Sequence, residues 1–165
     1  MKRREHGAEP SAGVAWRIVE LRPESYGEVR RLWEETPGVQ LARPDHPDGA
    51  DSPDGIRRFL QRNPGLSFLA VSSGESAGSR VLGAVLAGSD GRRGYLHHLA
   101  VAAEHRRRGI GAALVAAATA ALRSQGIEKC HLFALADKDL GGSFWRNRGW
   151  QRRDDLHMYS LQLGE

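Results

Sequence analysis

The chain has little cysteine and no long apolar run, and each shortage excludes a class of protein. Cys130 is the single cysteine among 165 residues, so a disulfide framework is excluded and a reducing compartment is expected. It lies in an apolar strand pattern and is assigned to the core. No segment is long and apolar enough to cross a membrane, and the basic start is followed by polar and small residues where a signal peptide needs an apolar stretch. We therefore expect a soluble, cytoplasmic protein that binds no membrane.

Two common phosphate-binding motifs are also missing. The sequence contains no Gly-Lys-Ser/Thr, which excludes a nucleotide-binding P-loop. The triplet Gly109-Ile110-Gly111 continues to Leu114, where a dinucleotide fingerprint requires glycine or alanine. A phosphate bound at these glycines must therefore be held in another way.

Basic residues exceed acidic ones only slightly. The 24 Lys and Arg residues against 20 Asp and Glu residues give a net charge of +4, and acidic residues are interspersed almost throughout. The one dense basic run is Arg106-Arg107-Arg108. A basic nucleic-acid-binding domain is therefore a distant alternative, and no nucleic-acid partner is expected.

The stretch from Tyr95 to Leu122 carries the clearest local pattern. Residues 95–101 contain no glycine or proline and predict a mostly buried strand. Apolar residues then recur at helical spacing and predict a long helix whose apolar positions are Ile110, Leu114, Val115, Ala118 and Leu122. A basic turn with glycines lies between the two. Because glycine lets the backbone approach a ligand and a helix start attracts anions, the turn is predicted to hold a phosphate.

The other elements are predicted from periodicity and from turn signals. Residues 1–14 have neither and are expected to form a disordered tail, which leaves residues 15–165 as one folded domain. Further strands are predicted at Trp16–Leu21, Leu66–Val71, Arg80–Ala87, Cys130–Ala134, Trp150 and Leu156–Leu161. Further helices are predicted up to about Glu35, from Asp51 to about Arg62 and over Asp137–Arg148, with a loop over Thr36–Ala50. The strands before and after the long helix should be parallel.

The spacing Arg106-x-x-Gly109-x-Gly111, directly after a strand and opening a helix, resembles the acyl-CoA pyrophosphate loop of the GNAT superfamily of N-acetyltransferases. Residues 144–150 resemble the second hallmark of that superfamily, an aromatic-rich helix that ends at a glycine before an aromatic strand residue. The resemblance covers roughly Trp16 to Leu161. It implies an α/β (α+β) GNAT fold in a single domain, with a mixed central sheet of about six to seven strands flanked by about four helices.

The resemblance also implies that acetyl-CoA is the cosubstrate and that no metal is needed. The strands that hold His97 and Cys130 would part at one end, and acyl-CoA would lie in the opening. There the backbone of Leu99, Ala100 and Val101 would pair with the pantetheine arm and offer an N–H group to the thioester carbonyl. The pyrophosphate would be held by the loop residues Arg106, Arg107, Arg108, Gly109, Ile110, Gly111 and Ala112.

A base is expected near the acetyl group, because an amine must be uncharged to attack a thioester. Histidine suits that role at neutral pH, and His97 and His98 directly precede Leu99. Since adjacent strand residues point to opposite faces, we expect at most one of the two to face the reaction cleft, with His97 preferred. For the same reason, the pair is not expected to chelate one metal ion.

Two positions depart from the family pattern. When the chain is aligned on Gly149, Trp145 stands where many relatives carry a tyrosine that protonates the departing thiolate. Indole cannot serve as that acid, so either Tyr159 or water does this work, or CoA leaves as a thiolate. Lys138 stands where relatives often place an asparagine that contacts the cofactor arm. Trp145 and Lys138 are treated as candidate cofactor contacts.

The acceptor is left open by the sequence. Asp45 and His46 in the long loop, and Arg92 and Arg93 in the turn before the histidine strand, are candidate substrate contacts. The expected function is transfer of an acetyl group from acetyl-CoA to a primary amine of a small molecule or a protein, by direct attack, in a monomer or homodimer. The alternative is a non-catalytic acyl-CoA-binding module, which the missing tyrosine keeps open.

Overall fold

The computed structural model describes residues 14–73, 79–135 and 141–163. Two units are distinguished along the chain, one ending at Phe133 and one beginning at Ala134, and each is described by itself. The predicted N-terminal tail, apart from Val14, and Lys138 lie outside the described residues.

The first unit contains a five-stranded mixed sheet in the order β1-β2-β3-β4-β5. The strands are β1 (Trp16–Glu20), β2 (Phe68–Ser72), β3 (Val81–Ser89), β4 (Gly94–Val101) and β5 (Cys130–Leu132). The first four strands pair antiparallel, whereas β4 and β5 pair in parallel. The predicted parallel pairing of the strands before and after the long helix is therefore confirmed, and the first four strands form an antiparallel meander.

Four α-helices occur in the described residues, as predicted. They are α1 (Tyr26–Glu34), α2 (Pro53–Arg62), α3 (Ile110–Ser124) and, in the second unit, α4 (Gly142–Arg146). Short 3₁₀ turns precede α1 and follow β4, at Pro23–Ser25 and Ala103–His105. The start of α2 shows why the sequence predicted a helix there. Ser52 caps it by accepting the Gly55 N–H at 3.0 Å, and Pro53 occupies the first turn, where its missing N–H costs nothing.

The sheet is covered on both faces. One face packs against α1 and α2, in a buried cluster that joins Trp33 and Ile56 to Ala84 and Ala100. The other face lies under α3, which comes so close that a side chain on Gly83 would stand 3.0 Å from Ile110 and Leu114. The buried residues of α3 are the five predicted from helical spacing, namely Ile110, Leu114, Val115, Ala118 and Leu122. Burial of this apolar stripe is what fixes α3 against the sheet.

The sheet has fewer strands than predicted. No strand is formed at Trp150 or over Leu156–Leu161 in the described part of the second unit, so five strands replace the predicted six to seven. Trp150 instead closes the end of α4, because its N–H donates to the Trp145 carbonyl at 3.1 Å. The alternation of Leu156–Leu161 indicates which side chains share a face, but a strand also requires a hydrogen-bonded neighbour. These residues have none among those described, and Tyr159 is 91% exposed.

Candidate active site

The turn between β4 and α3 presents a row of backbone N–H groups. Arg107 and Gly109 both have positive φ, at 59° and 83°. These two left-handed residues turn the backbone directly into the first turn of α3. Within the described residues, the N–H groups of residues 107–112 donate no backbone hydrogen bond. Ala113 is the first residue of α3 whose N–H is paired, and its acceptor is the Gly109 carbonyl. Unpaired donors at a helix start form a ready site for an anion.

The side chains of this turn reinforce its positive character. Arg107 and Arg108 are exposed, and the first turn of α3 carries no acidic residue. Arg106 has a different role, because its Nε donates to the Val101 carbonyl at 3.0 Å and so fixes the turn against the end of β4. The predicted phosphate loop therefore has free amides and two outward guanidinium groups, with Arg106 as a brace.

The edge of β4 next to this turn is open over half its length. The parallel pairing of β4 with β5 runs only from Gly94 to Leu96, against Cys130 to Leu132. From His97 to Val101, β4 therefore has no ladder partner on that side among the described residues. A strand edge of this kind offers N–H and C=O groups to an extended ligand with amides of its own.

The two histidines face the same side of the sheet, and the expectation that they point to opposite faces was wrong. In the β3–β4 pairing, Ala84 lies opposite Ala100 and Leu86 lies opposite His97, so β4 carries one extra residue between them. His98 lies in this bulge with φ of 50°. A bulge interrupts the strict alternation of side chains, and both imidazoles consequently lie under α1 and α2.

The His97 imidazole is surrounded by aromatic rings. It stacks with Tyr95 at 6.4 Å and meets the edge of Phe59, from α2, at 6.0 Å between centroids. Burial lowers the pKa of His97, nearby His98 lowers it further, and Asp51 opposes both effects. His97 is therefore neutral at pH 7 and retains a lone pair that can accept a proton.

The His98 imidazole is held by a buried carboxylate. Its Nε2 lies 2.9 Å from Oδ1 of Asp51, a residue only 6% exposed, and its ring meets the edge of Trp33 at 5.0 Å. The Trp33 indole N–H donates to the His98 carbonyl at 3.0 Å. The ring and the backbone carbonyl of His98 are thus both fixed by residues outside the sheet.

The carboxylate of Asp51 is itself fixed and ionised. Its Oδ2 accepts the Ala42 N–H at 2.6 Å, while the Asp51 N–H donates to the Ala42 carbonyl at 3.1 Å. Burial raises the pKa of Asp51, but the hydrogen bonds from His98 and from the Ala42 N–H outweigh burial and lower the pKa below its usual value. An ionised carboxylate only accepts hydrogen bonds, so His98 Nε2 carries the proton.

Asp51 was missed as a site residue by reasoning from the sequence. It was predicted only as the start of a helix, but α2 begins at Pro53 and Ser52 is its cap. The available signal was an acidic residue beside the cap that has no capping role of its own. Its partner His98 is 47 positions away, and no local pattern indicates that separation.

Comparison with known proteins places the chain in a family. The model of the acetyltransferase (GNAT) family matches residues 27–150. The chain belongs to this family. It is thus an acyltransferase that transfers acetyl groups. An acetyltransferase of Sodalis glossinidius is 30% identical over 145 residues, which are 88% of this chain and 94% of that protein.

Solved structures share the GNAT fold at low sequence identity. The aminoglycoside N-acetyltransferase AAC(6')-Iy, solved with CoA, has a TM-score of 0.67 and 17% identity, over 93% of this chain and 99% of its own. The NatC complex bound to Gag peptide and CoA has a chain with a TM-score of 0.69 and 18% identity, over 84% and 86%. At these identities the comparison establishes the fold.

The predicted acceptor contacts of this GNAT chain interact with residues other than His97 and His98. Asp45 is 82% exposed and pairs with Arg30 at 2.7 Å, while the His46 Nδ1 accepts the Asp48 N–H at 3.2 Å. The loop that holds them has no regular structure, as predicted. Arg92 and Arg93 donate their backbone N–H groups to Asp90 in the turn before β4. This turn is at the opposite end of β4 from the predicted phosphate loop.

Trp145, a predicted cofactor contact, and Tyr159, a predicted acid, both belong to the second unit. Trp145 packs edge to face against Phe144 at 4.9 Å and Trp150 at 5.1 Å, and Arg148 lies 3.8 Å above the Phe144 ring. The predicted aromatic hallmark is thus a small cluster at the end of α4. Tyr159 is exposed, and its role as an acid stays a prediction.

Other chemistry is sparse in the residues described. No group of three or more His, Cys, Asp or Glu side chains there is placed to bind a metal, and no helix there is long and apolar enough to cross a membrane. Burial raises the pKa of Cys130 to about 11, so this half-buried thiol stays protonated. A surface depression of about 430 Å³ at the far end of α3, lined by Leu122, Ile127 and Cys130 among others, contains none of the predicted site residues.

Proposed function

We propose that this GNAT enzyme transfers the acetyl group of acetyl-CoA to a primary amine by direct attack. The observation that carries the proposal is the continuity of three features along one stretch of chain. They are two imidazoles on one face of β4, the open β4 edge from His97 to Val101, and the unpaired amides of residues 107–112. Base, thioester site and phosphate site would follow one another in the order that an extended acyl-CoA requires.

The pyrophosphate of acetyl-CoA fits the turn before α3. Its oxygens would accept hydrogen bonds from the N–H groups of residues 107–112, and the exposed guanidinium groups of Arg107 and Arg108 would add charge. The helix dipole of α3 acts in the same direction, since no first-turn carboxylate opposes an anion there. The pantetheine arm would then pair with β4 at Leu99, Ala100 and Val101.

The chemical step needs a neutral amine and a polarised carbonyl. A β4 N–H near Leu99 would donate to the thioester oxygen and stabilise the negative charge that develops there. The ammonium form of the acceptor would lose a proton to His97 or His98, and the free nitrogen would attack the acetyl carbon. As the new C–N bond forms and the tetrahedral intermediate collapses, the C–S bond breaks and its electron pair leaves with the CoA sulfur.

The departing thiolate can be protonated without the family tyrosine. The indole of Trp145 cannot donate a proton to it, so the proton that the amine nitrogen loses on forming the amide reaches sulfur through water or through Tyr159. A thiolate is also a stable leaving group near neutral pH, because an ordinary thiol has a pKa of about 8.5. Loss of the family tyrosine is therefore compatible with turnover.

The proposal is tested by following product formation. Purified protein is incubated with acetyl-CoA and an amine panel of kanamycin, spermidine, tyramine and short peptides with free N-termini, which includes the aminoglycoside and peptide classes of the two solved neighbours. We expect equimolar release of CoA thiol and formation of an N-acetyl product detected by mass spectrometry. Saturable acetyl-CoA binding without acetylation of any panel amine would favour the non-catalytic module instead.

A further inference from the structure

The contacts of His98 separate it from His97 as a candidate base. His98 is bonded to a buried carboxylate at 2.9 Å, whereas no hydrogen bond to the His97 ring is formed by the described residues. His97 packs instead between Tyr95 and Phe59. A carboxylate is in direct contact with the imidazole at position 98, whereas at position 97 the effect of Asp51 is outweighed by burial and by His98.

The second ring nitrogen of His98 is available. Because Nε2 carries the proton directed at Asp51, Nδ1 holds the lone pair. Among the described residues, Nδ1 of His98 has no hydrogen-bond partner. The one buried side-chain nitrogen or oxygen without a partner in those residues is Nδ1 of His105, so Nδ1 of His98 is not fully buried. The His98 lone pair is therefore accessible, and the side chain as a whole is 19% exposed.

We propose that His98 is the general base of this enzyme and that Asp51 is its positioning residue. This inference rests on the proposed function and specifies which histidine performs its proton transfer. Asp51 holds the ring in the tautomer with the proton on Nε2, directs Nδ1 to the acceptor amine, and stabilises the imidazolium after the amine proton has moved to Nδ1. Asp51 itself stays ionised throughout.

The segment before α2 is built to hold Asp51 in place. The reciprocal hydrogen bonds between Asp51 and Ala42 close the loop of residues 42–51, and the Tyr26 hydroxyl donates to the Asp51 carbonyl at 2.7 Å. A side chain on Gly49 would stand 1.8 Å from the Arg43 carbonyl, so the loop closes only with glycine there. Such fixed geometry around a carboxylate is what a positioning role requires.

The charged groups around the pair are few and can be named. His97 on β4 and Asp51 before α2 act on His98 directly, and Trp33 on α1 contributes an uncharged edge. Tyr26 and Arg30 of α1 lie beyond Asp51, and Arg30 is itself paired with Glu34 and Asp45. Among the described residues, Asp51 and His97 are therefore the titratable groups that lie next to the His98 ring.

The test compares His98→Gln, His97→Gln and Asp51→Asn with the wild type, using acetyl-CoA and the best amine of the panel. We expect His98→Gln to lower kcat by about 10²-fold or more and to remove the acidic limb of its pH profile. His97→Gln should keep that limb. Asp51→Asn should lower kcat by about tenfold or more, because the His98 ring is no longer held in a single tautomer. KM for acetyl-CoA should change by less than about twofold in each.

Asp54→Asn is the matched control, because Asp54 lies three residues further on, is exposed, and pairs with Arg57 rather than with a histidine. It should behave as the wild type. A merely structural role for Asp51 would lower the melting temperature and leave kcat unchanged in the folded Asp51→Asn enzyme, which would overturn the assignment. Nitrogen-15 NMR of wild-type histidines provides a readout without turnover or mutation. It should show the Nε2–H tautomer at His98, and an Nδ1–H tautomer would also overturn the inference.

The failure of this inference differs from the failure of the proposed function. An enzyme that acetylates amines yet keeps the acidic limb in His98→Gln, or loses it in His97→Gln, contradicts the His98 assignment alone. A folded wild type that acetylates no amine contradicts the proposed function and this inference with it.

Discussion

The imidazole of His97 is uncharged at neutral pH for reasons that also affect folding. Burial and the neighbouring His98 lower the pKa of His97 below the value of 6.5 that an unfolded chain would give it, against the opposing effect of Asp51. Below pH 6.5 the unfolded chain therefore binds a proton at this position more readily than the folded protein. Linkage then requires the free energy of unfolding to fall as the pH is lowered through this range.

This linkage can be measured by replacing His97. The wild type should lose melting temperature as the pH falls from about 6.5 towards the lowered pKa of His97, and His97→Gln should flatten that part of the curve. The exposed His157 provides the control, because His157→Gln should reproduce the wild-type curve. Differential scanning calorimetry between pH 5 and pH 8 makes the comparison. Equal slopes for His97→Gln and the wild type would contradict this account of His97.

At the scale of elements, the bulge in β4 depends on α1. His98 adopts a φ of 50°, which is costly for a residue with a side chain and persists only when its surroundings impose it. The fully buried Trp33 meets this need, because its indole N–H holds the His98 carbonyl at 3.0 Å. Helix α1 thus supports the strand that would contact the thioester.

Trp33→Phe tests this support by removing the N–H donor while retaining an aromatic ring. The His98 carbonyl would lose its partner, and we expect a loss of stability of about 1–3 kcal/mol from the unsatisfied group, with a further loss from the smaller ring. Urea unfolding measures the change, and Trp16→Phe on the edge strand β1 is the control. If Trp33→Phe were no more destabilising than Trp16→Phe, the indole would not be supporting the bulge.

At the scale of the whole molecule, local patterns predicted the elements and missed the long-range geometry. The turn with glycines between β4 and α3, the five buried positions of α3 and the start of α2 follow from residues that are neighbours in sequence. The bulge at His98 depends on how β4 pairs with β3, and the Asp51–His98 contact joins segments 47 residues apart. Neither leaves a periodic signal, so the two histidines were assigned to opposite faces and Asp51 was predicted only as the start of a helix.

The prediction of the final strands was wrong for a related reason. Leu156–Leu161 alternates as a strand should, but alternation specifies a face without specifying a neighbour, and the described residues provide none. The family, in contrast, was predicted correctly because the pattern that identifies it is local. A strand, a turn with glycines and a helix occur there in direct succession, so residues close in sequence are enough to recognise it.

The measurement that tests this account most directly is calorimetric titration of acetyl-CoA into the wild type, Gly111→Asp and Gly111→Asn. An aspartate in the first turn of α3 favours the helix dipole, so it should leave the fold intact while repelling pyrophosphate. Asparagine is its uncharged match. We expect saturable binding at one site in the wild type, affinity at least about tenfold weaker in Gly111→Asp, and a smaller loss in Gly111→Asn. Absence of binding by folded wild type, or equal affinity in all three, would contradict the assignment of this turn as the acyl-CoA site.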